Sequence, residues 1–188
     1  MSIHARLHPE IDNAGLPPAA PSANRPTACS REGYVQAMRQ VAGAVAVVTT
    51  DGVAGRHGAT VTAFCSVSAD PPTVLVCLRH GSRIGTAVAA NGVFTLNVLP
   101  EDAAAVARTF AGEFDRQGDD RFARVDPVAL PGLAPAIAGA LALACRVVRA
   151  DRQDSHVIVV GTVVSIVHRP LAPLVYHDGG YRALQPTA

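Results

Sequence analysis

Between Gly58 and Pro72 the chain reads GATVTAFCSVSADPP. Thr60, Thr62, Ser66 and Ser68 set hydroxyls on alternating positions, and Ala59, Val61, Ala63, Cys65 and Val67 between them are small or apolar. Only Phe64 interrupts the hydroxyl row. A period of two predicts a strand with one face on a core and a ladder of hydroxyls on the other. With the backbone groups beside it, such a ladder can bond the carbonyls and ring nitrogens of a flat heterocycle, or a phosphate. On an open strand face the same hydroxyls are simply solvated. Further on, Ser82-Arg83 offers a capping hydroxyl and a guanidinium at the start of a predicted helix, where free N–H groups also collect. That is phosphate chemistry, although a plain cap and a surface charge would look alike in sequence. Two aromatic side chains can face a second ligand: His156, which opens the run HVIVVGTVVSIV, and Tyr181 near the C-terminus. Their plain readings are a surface histidine and a packing tyrosine.

Other chemistries are disfavoured. All 16 basic residues are arginine, so a Walker phosphate loop, a Schiff base and a lysine general base are ruled out. No GxSxG occurs, no Ser-His-Asp or Cys-His arrangement stands out, and no carboxylate pair sits in an apolar strand. Cys29, Cys65, Cys77 and Cys145 form no CxxC pair, and the histidines are scattered, so no metal site is expected. Reduced, buried thiols are the expectation. A net charge of +1 with 4% aromatic residues argues against a nucleic-acid partner. The N-terminus lacks a basic region followed by an apolar core, which points to a cytoplasmic protein. Residues 127–145 are uncharged and about as long as a membrane span, but Pro131, Gly132 and Pro135 break them. They read as a loop feeding a strand, with no membrane role.

The elements that must position these groups follow from periodicity and punctuation. Residues 1–30 hold five prolines and read as a disordered or draped tail, leaving residues 31–188 as one domain. Tyr34, Ala37, Met38 and Val41 fall on one stripe of an amphipathic helix that Gly43 ends. Strands are predicted over 45–50, through the hydroxyl ladder, and over 73–78, 93–99, 141–148 and 156–167. Two short ones at 174–176 and 180–182 close the chain. Pro71-Pro72 cannot lie in a central ladder. Short helices are predicted from Ser82 to Asn91-Gly92 and from Glu101 to Phe110, the latter with acids in its first turn, and a polar loop spans 112–124. Many strands and few helices indicate a mainly β barrel with peripheral helices. Irregular alternation and the missing GxGxxG argue against a dinucleotide-binding α/β sheet.

In order, the segments VAGAVAVVTT, GATVTAFCSVSADPPTVLVCL, FTLNVL, SHVIVVGTV and LVYHDGGYRAL resemble the short-chain flavin reductase family over about residues 33–184. The resemblance implies a split β-barrel that binds FMN or FAD, usually as a homodimer. It implies hydride transfer from NADH or NADPH to the flavin, and delivery of reduced flavin to a separate monooxygenase. Carried over by position, Thr60, Val61, Thr62 and Ala63 line the flavin ring, and Ser66, Val67 and Ser68 continue that wall. Cys77, Leu78, Arg79, Ser82 and Arg83 hold the ribityl-phosphate end. His156 is the expected catalytic-side contact to the nicotinamide, and Tyr181 a further one. Many relatives carry threonine where this chain has Ile84, and Thr86 is the available substitute. The absence of a side-chain catalytic group fits this family, because a flavin itself accepts the hydride. A non-catalytic flavin- or haem-binding barrel and a pyridoxamine-phosphate-type oxidase are the competing readings.

Overall fold

The computed structural model describes residues 29–115, 120–167 and 170–185. The expected tail, apart from its last two residues, lies outside them, as do His4, His8 and His168. In chain order the elements are α1 (Arg31–Arg39), β1 (Gly43–Ala44), β2 (Ala46–Thr50), β3 (His57–Val61), β4 (Phe64–Ala69), β5 (Pro72–Arg79), α2 (Arg83–Asn91) and β6 (Val93–Val98). Then come α3 (Ala104–Ala111), a 3-10 turn at Arg121–Arg124, β7 (Pro127–Val128), β8 (Ala136–Ile137), β9 (Leu141–Gln153), β10 (His156–Val167), β11 (Val175–His177) and β12 (Gly180–Arg182).

Seven strands form one antiparallel sheet in the order β3-β2-β6-β9-β10-β5-β4. The two edge strands, β3 and β4, are neighbours in sequence, separated only by Thr62 and Ala63. The sheet therefore rolls until its edges approach at this corner, where the Cys77 N–H, donating to Ala63 O at 2.9 Å, carries the β4–β5 pairing one residue further. It does not close into a full ladder. This is a split β-barrel, mainly β as the sequence indicates.

The ladder predicted as one strand is thus two, and the side-chain parity flips at the corner. In β3, Ala59 and Val61 pack on the barrel core; in β4, Phe64 does. Cys65 and Val67, expected on the core face, are exposed. Phe64, the one break in the hydroxyl row, marks the flip, because a one-residue slip exchanges the faces of a strand.

β2 shows why the middle of the sheet is apolar on both sides. Ala46 and Val48 belong to the barrel interior with Val76, Leu78, Phe94, Leu96 and Val159. Val45, at its entry, and Val47 belong to an outer core with Leu99, Phe110, Phe122 and Leu174, which α3 and the 3-10 turn cover. Buried polar groups between these layers are paired. Thr50 Oγ1 donates to Val93 O at 2.7 Å, Asn97 Nδ2 donates to Val47 O at 3.0 Å, and Asn97 Oδ1 accepts from Ile137 N at 2.9 Å. Each would be costly if left single in a dry core.

Three expectations need correction. α1 forms, capped by Ser30, but it ends at Arg39 and none of its residues is buried. Tyr34, Met38 and Val41 are 59%, 47% and 57% exposed, so their stripe meets no surface of this chain among the described residues. α3 begins at Ala104, so Glu101 and Asp102 lie before its first turn. The reason is a competing pairing: Pro100 bridges Pro173, the Glu101 N–H donates to Ala172 O at 2.9 Å, and the Ala103 N–H donates to Pro100 O at 2.9 Å, which places Glu101 and Asp102 in a turn ahead of the helix. Of the thiols only Cys145 is buried; Cys29 and Cys65 are exposed and Cys77 is intermediate. An edge strand has no neighbour to cover the outer face that carries Cys65.

Candidate functional site: the cleft at the barrel seam

Three features converge where the barrel fails to close. The corner Thr62-Ala63 ends β3. The last residues of β5, Cys77 to Arg79, run beside it. β10 starts at His156, directly opposite Arg79 in the β5–β10 register. Helix α2 begins just beyond, capped by Ser82. Together they enclose a cleft of about 280 Å³ lined by Thr60, Val61, Thr62, Ala63, Cys77, Leu78, Arg79, Ser82 and His156, with Ala59 and Ile84. Nine of the residues singled out from sequence therefore share one cavity.

The α2 end of this cleft is built tightly. Ser82 Oγ accepts from Gly85 N at 3.1 Å and donates to Arg79 O at 2.6 Å. A Cβ on Gly85 would stand 2.4 Å from Arg79 O. Glycine lets the helix approach the end of β5 that closely, and so brings its positive N-terminal end beside Arg79. Thr86 Oγ1 donates back to Ser82 O at 3.2 Å and lines none of the three clefts described here, whereas buried Ile84 faces the seam cleft.

At the opposite end, Ser155 Oγ lies 2.9 Å from His156 Nδ1, and the His80 N–H donates to Ser155 O at 2.9 Å. The turn thus holds the imidazole by one nitrogen. Thr60 uses its hydroxyl proton structurally, donating to Ala107 O of α3 at 2.6 Å. Burial, and secondarily the nearby Cys65 thiol, push the Cys77 thiol above its ordinary pKa. Both effects favour the neutral thiol form in the cleft wall.

The remaining sequence candidates lie elsewhere. Ser66 and Val67 are exposed on the outer edge of β4. Ser68 Oγ is engaged with the backbone of Asp70, accepting from its N–H at 3.0 Å and facing its carbonyl at 2.9 Å. None of the three lines a cleft described here. Arg83 faces a neighbouring cleft of about 450 Å³ that shares Ala59, Ser82 and Ile84 with the first. Tyr181 lines a third, of about 390 Å³, which shares only Thr60, Val61 and Thr62 with the seam. There it packs edge-on against Tyr176, with ring centroids 5.4 Å apart, and Arg108 lies 5.8 Å over its ring. Burial, with help from Glu113, raises the pKa of its hydroxyl. Ala59 and Ile84 were not marked as ligand contacts in sequence, because an apolar residue of a strand or helix carries no signal that it faces a cleft.

The donor set suits a flat heterocycle with an anionic tail. β3 is an edge strand, so alternate N–H and C=O groups on its free side lack ladder partners. Those groups can bond ring carbonyls and nitrogens. Arg79 and the α2 N-terminus supply the cationic end.

Comparisons with known proteins agree with this geometry. The family profile described as flavin reductase like domain matches residues 38–185. The chain is 40% identical over 161 residues to the FMN reductase (NADH) RutF 2 of Methylorubrum extorquens, covering 85% of this chain and 92% of that one. It is 34% identical to the FMN reductase (NADH) RutF of Enterobacter cloacae, covering 86% and 99%. Among solved structures, the NADH:FAD oxidoreductase SgcE6 of Streptomyces globisporus superposes with a TM-score of 0.77 at 30% identity, covering 88% of this chain and 100% of that one. BorF, the flavin reductase component of a bacterial two-component tryptophan halogenase, superposes with a TM-score of 0.75 at 29% identity, covering 84% and 100%. A split barrel with this seam cleft, matched over most of its length, belongs to the flavin reductase-like family, and the chain is an oxidoreductase of that kind.

Proposed function

We propose that the chain transfers hydride from NADH to FMN or FAD and releases the reduced flavin to a separate monooxygenase. The observation that carries this reading is the seam cleft, where the β3 edge, the β5 end, the Ser82 cap and His156 face one cavity. The names of the relatives, FMN reductase (NADH), favour NADH as donor and FMN as first flavin. The halogenase reductase among the structural neighbours favours a two-component arrangement.

Bound flavin supplies the hydride acceptor; the protein binds, aligns and tunes. The edge of β3 and its corner hold the ring. Backbone N–H groups there offset the negative charge that accumulates on reduction. Arg79 and the α2 N-terminus hold the phosphate. His156, fixed at Nδ1 by Ser155, keeps Nε2 for the nicotinamide side, so it orients the donor and transfers no essential proton. Residues 31–188 form the catalytic domain, acting in the cytoplasm, where exposed thiols such as Cys65 stay reduced. A homodimer is part of this reading. Val148, Val164 and Ile166 on the long β9–β10 hairpin are 59%, 47% and 58% exposed, a surface that a second copy would cover.

The test is steady-state oxidation of NADH and of NADPH with FMN, FAD or no added flavin. Turnover that needs added flavin and prefers NADH is expected. Flavin binding without nicotinamide oxidation in any combination would replace this reading with a non-catalytic binding module. Light scattering of the purified chain checks the dimer.

A further inference from the structure

The cleft that Tyr181 lines takes no part in the chemistry above. It lies between the end of α3 and the β11–β12 hairpin, holds about 390 Å³, and adjoins the seam along Thr60, Val61 and Thr62. One wall is aromatic: Tyr176 and Tyr181 pack edge-on, and the Arg108 guanidinium lies 5.8 Å over the Tyr181 ring. Among the described residues only two charged side chains line it, Arg108 and Glu113. The way α3 stops brings them together. Gly112 takes the left-handed conformation with φ 88°, its N–H donates to Thr109 O at 3.2 Å, and the Glu113 N–H donates to Arg108 O at 3.2 Å. Those paired bonds are how a helix ends at glycine, and they fold Glu113 back over the last turn. Arg108 Nη1 and Glu113 Oε2 stand 4.0 Å apart, and both side chains are about half exposed. An ion pair that long and that wet is worth little, so both groups stay open to a ligand.

A nicotinamide that faces the flavin at the seam brings an adenosine that must lie somewhere. With the flavin phosphate at α2, this cleft continues the seam along β3 into separate space, and its tyrosines offer an adenine a flat apolar wall. NADH and NADPH differ only at the adenosine ribose. A carboxylate suits the 2′-hydroxyl of the first, and an arginine the 2′-phosphate of the second. Here one of each stands side by side. We infer that this cleft takes the adenosine end of the hydride donor and that Glu113 sets the choice of donor. Its carboxylate accepts from the ribose 2′-hydroxyl of NADH and repels the 2′-phosphate of NADPH, which Arg108 would otherwise attract. This assignment rests on the flavin-reductase reading of the seam.

Glu113→Gln removes the charge and keeps the size and a carbonyl acceptor. In steady-state turnover it should lower the KM for NADPH relative to that for NADH by roughly tenfold, the scale of one charge-assisted hydrogen bond. Adding Arg108→Ala to Glu113→Gln should cancel that gain, because the group that receives the 2′-phosphate is gone. Calorimetric titration of the full chain with NAD+ and with NADP+, FMN present, reads the same preference with no hydride transferred: wild type should bind NAD+ more tightly, and Glu113→Gln should close the gap. An unchanged NADH to NADPH ratio in Glu113→Gln overturns the assignment, as does an equal shift for both donors. A KM for FMN that moves as far as the KM for NADPH would mean a distorted seam, and would also overturn it. A gain that survives Arg108→Ala would remove Arg108 from the site. If no nicotinamide is oxidised with any flavin, the seam reading fails by itself. The NADP+ titration then still decides the cleft: tighter binding in Glu113→Gln supports it, and equal binding in both proteins overturns it.

Discussion

Replacing Gly85 by alanine tests how the cationic end of the seam cleft is built. Gly85 lies in the first turn of α2 and is buried. Its φ is not in the left-handed region, so alanine fits the backbone, and helix propensity alone would make Gly85→Ala stabilising by up to about 1 kcal/mol. The packing opposes this. The new methyl would stand 2.4 Å from Arg79 O and 2.9 Å from Ser82 Oγ. The first neighbour is backbone in the β5–β10 ladder and cannot swing aside. Overpacking of this sort costs about 1–3 kcal/mol. The second contact disturbs the Ser82 cap, worth about 1 kcal/mol more. The net expectation is a loss of about 1–3 kcal/mol, opposite in sign to the propensity effect. Urea unfolding followed by circular dichroism reads it directly, with an unchanged m-value as control. The KM for FMN should rise with it, because Arg79 and the helix start move apart. A variant as stable as the parent, or more so, would refute the claim that close approach of α2 to β5 shapes the cleft.

Four further outcomes are expected. His156→Ala should raise the KM for NADH more than it lowers kcat; loss of turnover with normal NADH binding would make the imidazole a proton donor instead. Thr60→Val removes the donor that Ala107 O accepts from, and should cost about 1–2 kcal/mol in urea unfolding with little volume change. The hydrogen bond from Arg121 holds the Asp115 carboxyl below its ordinary pKa. Its contribution is therefore complete above the unfolded carboxylate pKa near 4 and lost as pH falls through the lower folded value; the stability gap between wild type and Asp115→Asn should narrow over that acid range. Burial pushes the Cys145 thiol up to about 12. A thiol reagent at neutral pH should modify Cys29 and Cys65 in the native protein and spare Cys145 until unfolding; equal rates would contradict the burial.

Local elements were legible because each rests on local chemistry. Ser82 caps α2 and Gly92 ends it in the left-handed conformation, as hydroxyl and glycine at those spacings require. β10 runs from His156 to Val167, as a segment made mostly of valine, isoleucine and threonine should. Where long-range pairing intervened, local reading failed. Glu101 was drawn into a bridge with residues 172–173, and acids that suit a first helical turn were left outside it. The α1 stripe has the right period and no cover within the chain.

The sequence by itself determined the barrel class, the capped helix, and most of the side chains that line the seam, since periodicity, caps and turn residues act over a few positions. Tertiary structure alone decided that the hydroxyl ladder is two strands on opposite edges of one sheet. It therefore kept Thr60 and Thr62 at the cleft and sent Ser66 and Ser68 to the outer edge. It also placed Arg83 and Tyr181 in separate cavities flanking the one that holds His156. The physical reason is that a corner of two residues changes parity and direction without interrupting the alternation of small and polar side chains. The sheet that makes the corner necessary is assembled from strands up to a hundred residues apart in the chain, such as β3 and β10.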